Sequence, residues 1–164
     1  MKVIHFYEPE DPYGFLSNFY PSPIIMKGKT WPTSEHYYQA QKVVGTETEE
    51  VIRSLTTPRE AFDITRTEGF PQRLDWYEIR DDIMREAVYN KFIQHPDLKM
   101  QLLETEDALL VEHSFKDSYW GDGGDGKGKN VLGKILMEVR ERLKRENDGE
   151  SGKEEKQSIE AEIE

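Results

Sequence analysis

Two stretches of the chain hold the residues best able to do chemistry. In the first, Ser34-Glu35-His36-Tyr37-Tyr38-Gln39-Ala40-Gln41-Lys42, a carboxylate, an amide and an amine recur three and four positions apart. Pro32-Thr33-Ser34 supplies a helix start, and at about 100° per residue Glu35, Tyr38, Gln39 and Lys42 fall on one side while Tyr37, Ala40 and Val44 fall on the other. Glu35 then sits in the first turn, where free amides and the helix dipole favour a carboxylate. A solvated polar face would have the same spacing, but the crowding of Trp31, His36, Tyr37 and Tyr38 around this helix start equally fits the wall of a pocket. A carboxylate there can act as a base, and an amine beside it can attack a carbonyl carbon.

The second stretch is Asp117-Ser118-Tyr119-Trp120 followed by Gly121, Gly123, Gly124, Gly126 and Gly128, then Asn130 and a helical pattern. Asp117 is a second candidate carboxylate, and Trp120 beside the glycines is a natural stacking platform for a base. Glycines permit close approach of backbone amides, and a helix start beyond them suits an anion such as phosphate. The run Gly121 to Lys127 matches a P-loop up to its lysine, but Gly128 stands where a Ser or Thr must hold magnesium, so that reading is rejected. Asp117, Asp122 and Asp125 do not alternate as a calcium loop requires. His5, His36, His95 and His113 form no close pair, and neither a metal nor a cofactor is expected.

The elements that must carry these stretches are mostly helical. Val3 to Tyr7 and Ile24 to Lys27 read as strands, separated by a proline-rich loop. Thr46 with Glu49 forms a capping box for a helix through Leu55, and Thr57-Pro58-Arg59-Glu60 opens another that should end near Gly69. Asp75 with Glu78 opens the clearest helix, Trp76 to about Ile93, with Ile79, Ile83, Ala87 and Val88 on one side. His95-Pro96 breaks it, a short helix covers Asp97 to Glu104, and Ala108 to His113 reads as a buried strand. A last helix, Val131 to Arg145, turns Leu132, Ile135, Leu136, Val139 and Leu143 inward. The expected class is α+β: a mostly helical single domain with a small β-sheet.

At 164 residues the chain is one domain long and can bury a core without staples. It holds no cysteine, which excludes disulfides, thiolate metal sites and cysteine nucleophiles and fits a reducing compartment. With no apolar run of about 18 residues and no signal-peptide pattern at Met1 to Gly14, the expectation is a cytoplasmic protein without membrane contact. The formal charge is −11, of which the last 18 residues contribute seven acids against two lysines. The domain is therefore read as 1–145, with 146–164 an acidic, disordered tail. The rest is still acidic, which argues against sequence-independent duplex binding but leaves a small anionic ligand open.

The runs Gly14 to Lys42, Asp75 to Phe92 and Leu102 to Arg140, with their uncommon placements of Trp, Asn and His, resemble the YbiA-like, or NADAR, family. The resemblance covers most of the chain before the tail. It implies a compact α+β domain acting as an N-glycosidase on a small phosphoribosyl or ADP-ribosyl substrate. Glu35, Lys42 and Asp117 occupy the positions it assigns to catalysis. Ser17 and Asn18, Trp76, and Trp120, Gly121 and Asn130 are the residues it places against the substrate. The chain departs from the family pattern at Ala61-Phe62, Thr65-Arg66, Thr105-Glu106 and Phe115-Lys116, which bears on substrate choice rather than on the reaction.

Breaking a ribose C1′–N bond passes through an oxocarbenium-like state, which asks for a carboxylate near C1′ and a proton donor for the departing nitrogen. Alternatively, Lys42 could capture the opened ribose as an imine; both routes use the same residues. The leading substrate expectation is a phosphoribosylamino-pyrimidine intermediate of riboflavin biosynthesis. A second is ADP-ribosyl-guanine, with nucleic acid entering only as modified substrate and demanding a basic strip that the sequence does not reveal. A third, of another class, is a non-catalytic module that binds an ADP-ribose or NAD derivative.

Overall fold

The computed structural model describes the backbone of residues 1–163 and the side chains of residues 1–149. Its strands form two separate pairs rather than one sheet. β1 (Val3–Phe6) lies parallel to β4 (Leu109–Glu112), with Ile4 opposite Leu110 and Phe6 opposite Glu112. β2 (Ile24–Met26) and β3 (Lys29–Trp31) form an antiparallel hairpin. Its two-residue turn, Lys27-Gly28, has φ of 55° and 74°, the backbone twist that suits tight hairpins.

Six helices surround these pairs: α1 (Ser34–Ala40), α2 (Glu47–Arg53), α3 (Pro58–Ile64), α4 (Trp76–Gln94), α5 (Pro96–Glu104) and α6 (Val131–Ile163). The α+β class read from the sequence holds. Thr33 caps α1 by accepting from the His36 amide, and Thr57 caps α3 by accepting from the Glu60 amide. The capping box expected at Thr46 does not form: Thr46 Oγ1 donates to the Val43 carbonyl, while Glu49 accepts from the Gly45 amide. Asp75 does not cap α4 either, because Arg73 holds its carboxylate at 2.6 Å. α3 stops at Ile64, earlier than expected. The tail expected over 146–164 falls mostly on positions whose side chains lie outside the described residues; within them, Tyr89 donates to Glu146 at 2.8 Å.

Two apolar clusters form the core. The larger joins Ile4, Phe6, Tyr38, Trp76, Val88, Phe92 and Leu110 to the inward stripe of α6, Leu132, Ile135, Leu136, Val139 and Leu143. Fully burying each such side chain contributes about 1.5–3 kcal/mol. The smaller gathers Ile24, Trp31, Tyr37, Ala40, Val43, Ile52, Ala61 and Ala87. α1 lies between them and is buried at every position. Tyr38 packs into one cluster and Tyr37 and Ala40 into the other, leaving the polar residues of α1 to face the space in between.

Candidate active site

That space is a cavity of about 560 Å³ lined by Glu35, Tyr38 and Gln39 of α1 and by Lys42 in the 3-10 turn Gln41–Val43 that continues it, the four residues placed on one side by helical spacing. Opposite them are Asp117, Tyr119 and Trp120 from the loop after β4, with Ser17 and Asn18 and, on α4, Trp76 and Arg80 completing the wall. The loop bearing Ser17 and Asn18 is fastened to the start of α1: Ser34 Oγ donates to Asn18 Oδ1 at 2.9 Å, and the Glu35 amide donates to the Asn18 carbonyl.

The ionisable groups are held in different ways. Glu35 accepts from Gln39 Nε2 at 2.7 Å. Burial pushes its pKa above the usual carboxylate value, opposed by that hydrogen bond and by the positive charges of Lys42 and Arg66. Lys42 Nζ donates to Thr65 Oγ1 at 3.4 Å and lies over Tyr38 and Trp76, 5.9 and 5.7 Å from the ring centres. Burial and the nearby Arg66 bring its amine down to about 8, against the pull of Glu35. Asp117 Oδ1 accepts from the Tyr119 and Trp120 amides at 2.9 and 2.8 Å, so the carboxylate and the tryptophan are set by one turn. Trp120 and Trp76 both stand against Tyr38, at ring separations of 5.5 and 5.1 Å.

A profile of the NADAR domain matches residues 5–144. The chain belongs to the NADAR family. N-glycosidase YbiA of Escherichia coli is 50% identical over 141 residues, covering 86% of this chain and 88% of that protein. N-glycosidase Npun_R5314 of Nostoc punctiforme is 46% identical, covering 87% and 93%. Riboflavin biosynthesis protein VVA0006 of Vibrio vulnificus is 51% identical over 142 residues, but this chain spans only 39% of its length. The solution structure of E. coli YbiA superposes with a TM-score of 0.83 at 49% identity, covering 89% of this chain and 87% of that one.

In this NADAR domain the site residues expected from sequence divide. Glu35, Lys42, Asp117, Ser17, Asn18, Trp76 and Trp120 line the cavity; Gly121 and Asn130 do not. Their work is structural. A Cβ on Gly121 would stand 2.8 Å from the Glu112 carbonyl and 3.0 Å from that of Asp117, so glycine lets the loop pack on the end of β4. Asn130, at φ 50°, bridges the same strand: its Oδ1 accepts from the Glu112 amide and its Nδ2 donates to the Leu110 carbonyl. The glycine-rich stretch therefore packs on the end of β4, and none of its glycines lines the cavity.

Further cations line the cavity beyond the residues expected to contact substrate: Arg59 of α3, Arg66 just after it, Arg80 of α4, and Lys116. Arg66 stacks on Phe62 at 3.3 Å, and Arg80 stacks on Tyr119 at 3.6 Å and Tyr77 at 4.9 Å. Glu112, within the strand that the sequence pattern predicts to be buried, lines the same cavity. Only the fold brings these groups together, so no local pattern announces them. No helix among the described residues is long and apolar enough to cross a membrane, and no group of three His, Asp or Glu there could hold a metal.

Proposed function

We propose that the protein is an N-glycosidase that hydrolyses the C1′–N bond of a phosphoribosylamino-pyrimidine, with Glu35, Lys42 and Asp117 as its catalytic groups. The names of its relatives support the bond type and the pathway. The observation that carries the reading is a single cavity holding buried Glu35 and Lys42, a second carboxylate on Asp117, the faces of Trp76 and Trp120, and an arginine set. Ser17 and Asn18 and the two tryptophans position the sugar and base, while Arg66 and Arg80 meet the phosphate.

As positive charge develops on the ribose, a carboxylate beside C1′ stabilises it, and Glu35 takes the proton of the attacking water. Lys42 offers a covalent route: an amine brought down to about 8 is partly neutral near neutral pH and can attack C1′ of the opened sugar. Borohydride trapping of an adduct on Lys42, read by mass spectrometry, separates the imine route from direct attack. The reading is tested by incubating the protein with such a substrate. Release of ribose 5-phosphate and free pyrimidine is expected, and release of neither would sink it.

The cluster Arg59, Arg66, Arg80 and Lys116 favours a second reading, an ADP-ribosyl-guanine hydrolase, because it supplies basic groups for a more highly charged substrate. Release of ADP-ribose from a modified oligonucleotide, faster than from the phosphoribosyl substrate, would put this reading first.

A further inference from the structure

Four carboxyl side chains line the cavity, Glu8, Glu35, Glu112 and Asp117, and the last three differ in what holds their charge. Asp117 has two backbone amides on one oxygen, and Glu35 has Gln39 with two cations nearby. Glu112 has neither. Its Oε2 is sealed in the wall with no hydrogen-bond partner, and among the described residues no donor offsets the effect of burial on its charge. The acids that bear on it are Asp117 and Asp122 from the following loop and Glu35 from α1, all of its own sign. Glu8 lies beyond the end of β1, and the cavity also holds the cations Lys42, Arg59, Arg66, Arg80 and Lys116; among the described residues none of them forms an ion pair with Glu112.

The backbone of Glu112 is, by contrast, firmly held. Its amide donates to Asn130 Oδ1 at 3.0 Å, and its carbonyl accepts from the Asp122 and Ser114 amides at 2.9 and 3.1 Å. A buried carboxyl group on a fixed backbone, bare of donors and with acids of its own sign bearing on it, keeps its proton. Two carboxyls in one site whose surroundings drive their protonation apart mark out an acid and a base.

We propose that Glu112 is a further catalytic residue, the acid that protonates the departing nitrogen. The inference rests on the N-glycosidase reading. The C1′–N bond breaks with its electron pair passing to nitrogen, which takes the Glu112 proton and leaves as the neutral amine. Water forms the new C1′–O bond and gives its proton to Glu35. A proton then returns from Glu35 to Glu112 through solvent, so the atoms balance as substrate plus water giving amine and sugar. In the imine route the same departure needs the same proton. Burial and the three acids push Glu112 up to about 8, so it enters the reaction protonated near neutral pH.

The test compares Glu112→Gln with the intact enzyme on two substrates: the phosphoribosylamino-pyrimidine, and a 4-nitrophenyl riboside 5-phosphate whose leaving group needs no proton. A loss of about 10²–10⁴-fold in kcat on the amine substrate, with a much smaller loss on the nitrophenyl substrate and disappearance of the alkaline fall in rate, is expected. Equal losses on both substrates would overturn the proposal. If the intact enzyme cleaves neither, the N-glycosidase reading fails first. Infrared spectroscopy of the free protein then still decides the protonation: a protonated-carboxyl band at neutral pH, absent from Glu112→Gln, is expected, and its absence from the intact protein removes Glu112 as the acid.

Discussion

Gln39 donates to Glu35 Oε1 across one turn of α1, at 2.7 Å. Gln39 is itself held: Thr65 Oγ1 donates to its Oε1 at 3.1 Å and accepts from Lys42 Nζ at 3.4 Å. Carboxylate and amine thus each meet a fixed partner, Gln39 and Thr65, whose hydroxyl has Gln39 Oε1 and the Phe62 carbonyl at 3.0 Å as competing acceptors, and the Gln39 donor favours ionised Glu35. Burial alone would neutralise both groups.

Replacing Gln39 with Leu removes the donor that stabilises ionised Glu35. Its pKa, already raised by burial, then rises further, and a reaction needing the carboxylate fails at a higher pH than before. The acid limb of kcat/KM is expected to move to higher pH, with a larger deficit at acidic than at alkaline pH. A profile that loses height without moving its acid limb would show that Gln39 does not tune Glu35.

What the sequence made legible follows from the range of each interaction. The cavity face of α1 needed only helical spacing, and Thr33 and Thr57 act within one turn of themselves. Thr46 shows the limit of such signals, because its hydroxyl had a second acceptor in the Val43 carbonyl and took it. β3 escaped notice because its hairpin turns at a lysine with positive φ, an uncommon choice. Glu112 and Arg80 reach the cavity only after β4 pairs with a strand some hundred residues earlier and α4 packs on α1 and α6. Gly121 and Asn130 stand outside the cavity lining, and a glycine that lets backbones meet and one that admits a ligand look alike in sequence.

Arg66 affects Lys42 in the opposite sense to Glu35. It helps hold the amine down to about 8, so Arg66→Gln lets the Lys42 pKa rise and leaves less neutral amine at neutral pH. If Lys42 attacks the sugar, the alkaline rise in single-turnover adduct formation moves to higher pH in this variant. Lys42→Ala should abolish the adduct altogether, with the fold unchanged by circular dichroism. An adduct rate whose pH dependence ignores Arg66 would exclude Lys42 as the titrating nucleophile.

Asn130 acts through β4. Asn130→Ala deletes hydrogen bonds to the Glu112 amide and the Leu110 carbonyl and leaves alanine at φ 50°. A buried group left without its partner costs about 1–3 kcal/mol, so a lower midpoint in urea is expected. A positioning role for Glu112 requires a fall in kcat exceeding the rise in KM, measured where the variant is fully folded. Asn130→Gly relieves the backbone strain alone, so it should recover part of the stability without recovering kcat. Full activity in Asn130→Ala would separate this residue from the site.

Lys91 is buried with no carboxylate partner among the described residues, and its amine donates to the Phe15 and Ser17 carbonyls at 2.6 and 2.8 Å. It thereby secures the loop that brings Ser17 and Asn18 to the cavity. Burial lowers it to about 7, whereas a lysine in the unfolded chain titrates near about 10.4. Between these values the unfolded chain binds the extra proton, so the stability contributed by this group rises as pH climbs and is least below about 7. Lys91→Met strands the two carbonyls but removes the cost of burying charge. The variant is expected to be less stable than the intact protein by about 1–3 kcal/mol at alkaline pH, the gap narrowing toward neutral pH, and to show a raised KM. Urea unfolding of both proteins across that range checks it, and a gap independent of pH would mean that Lys91 stays protonated in the folded state.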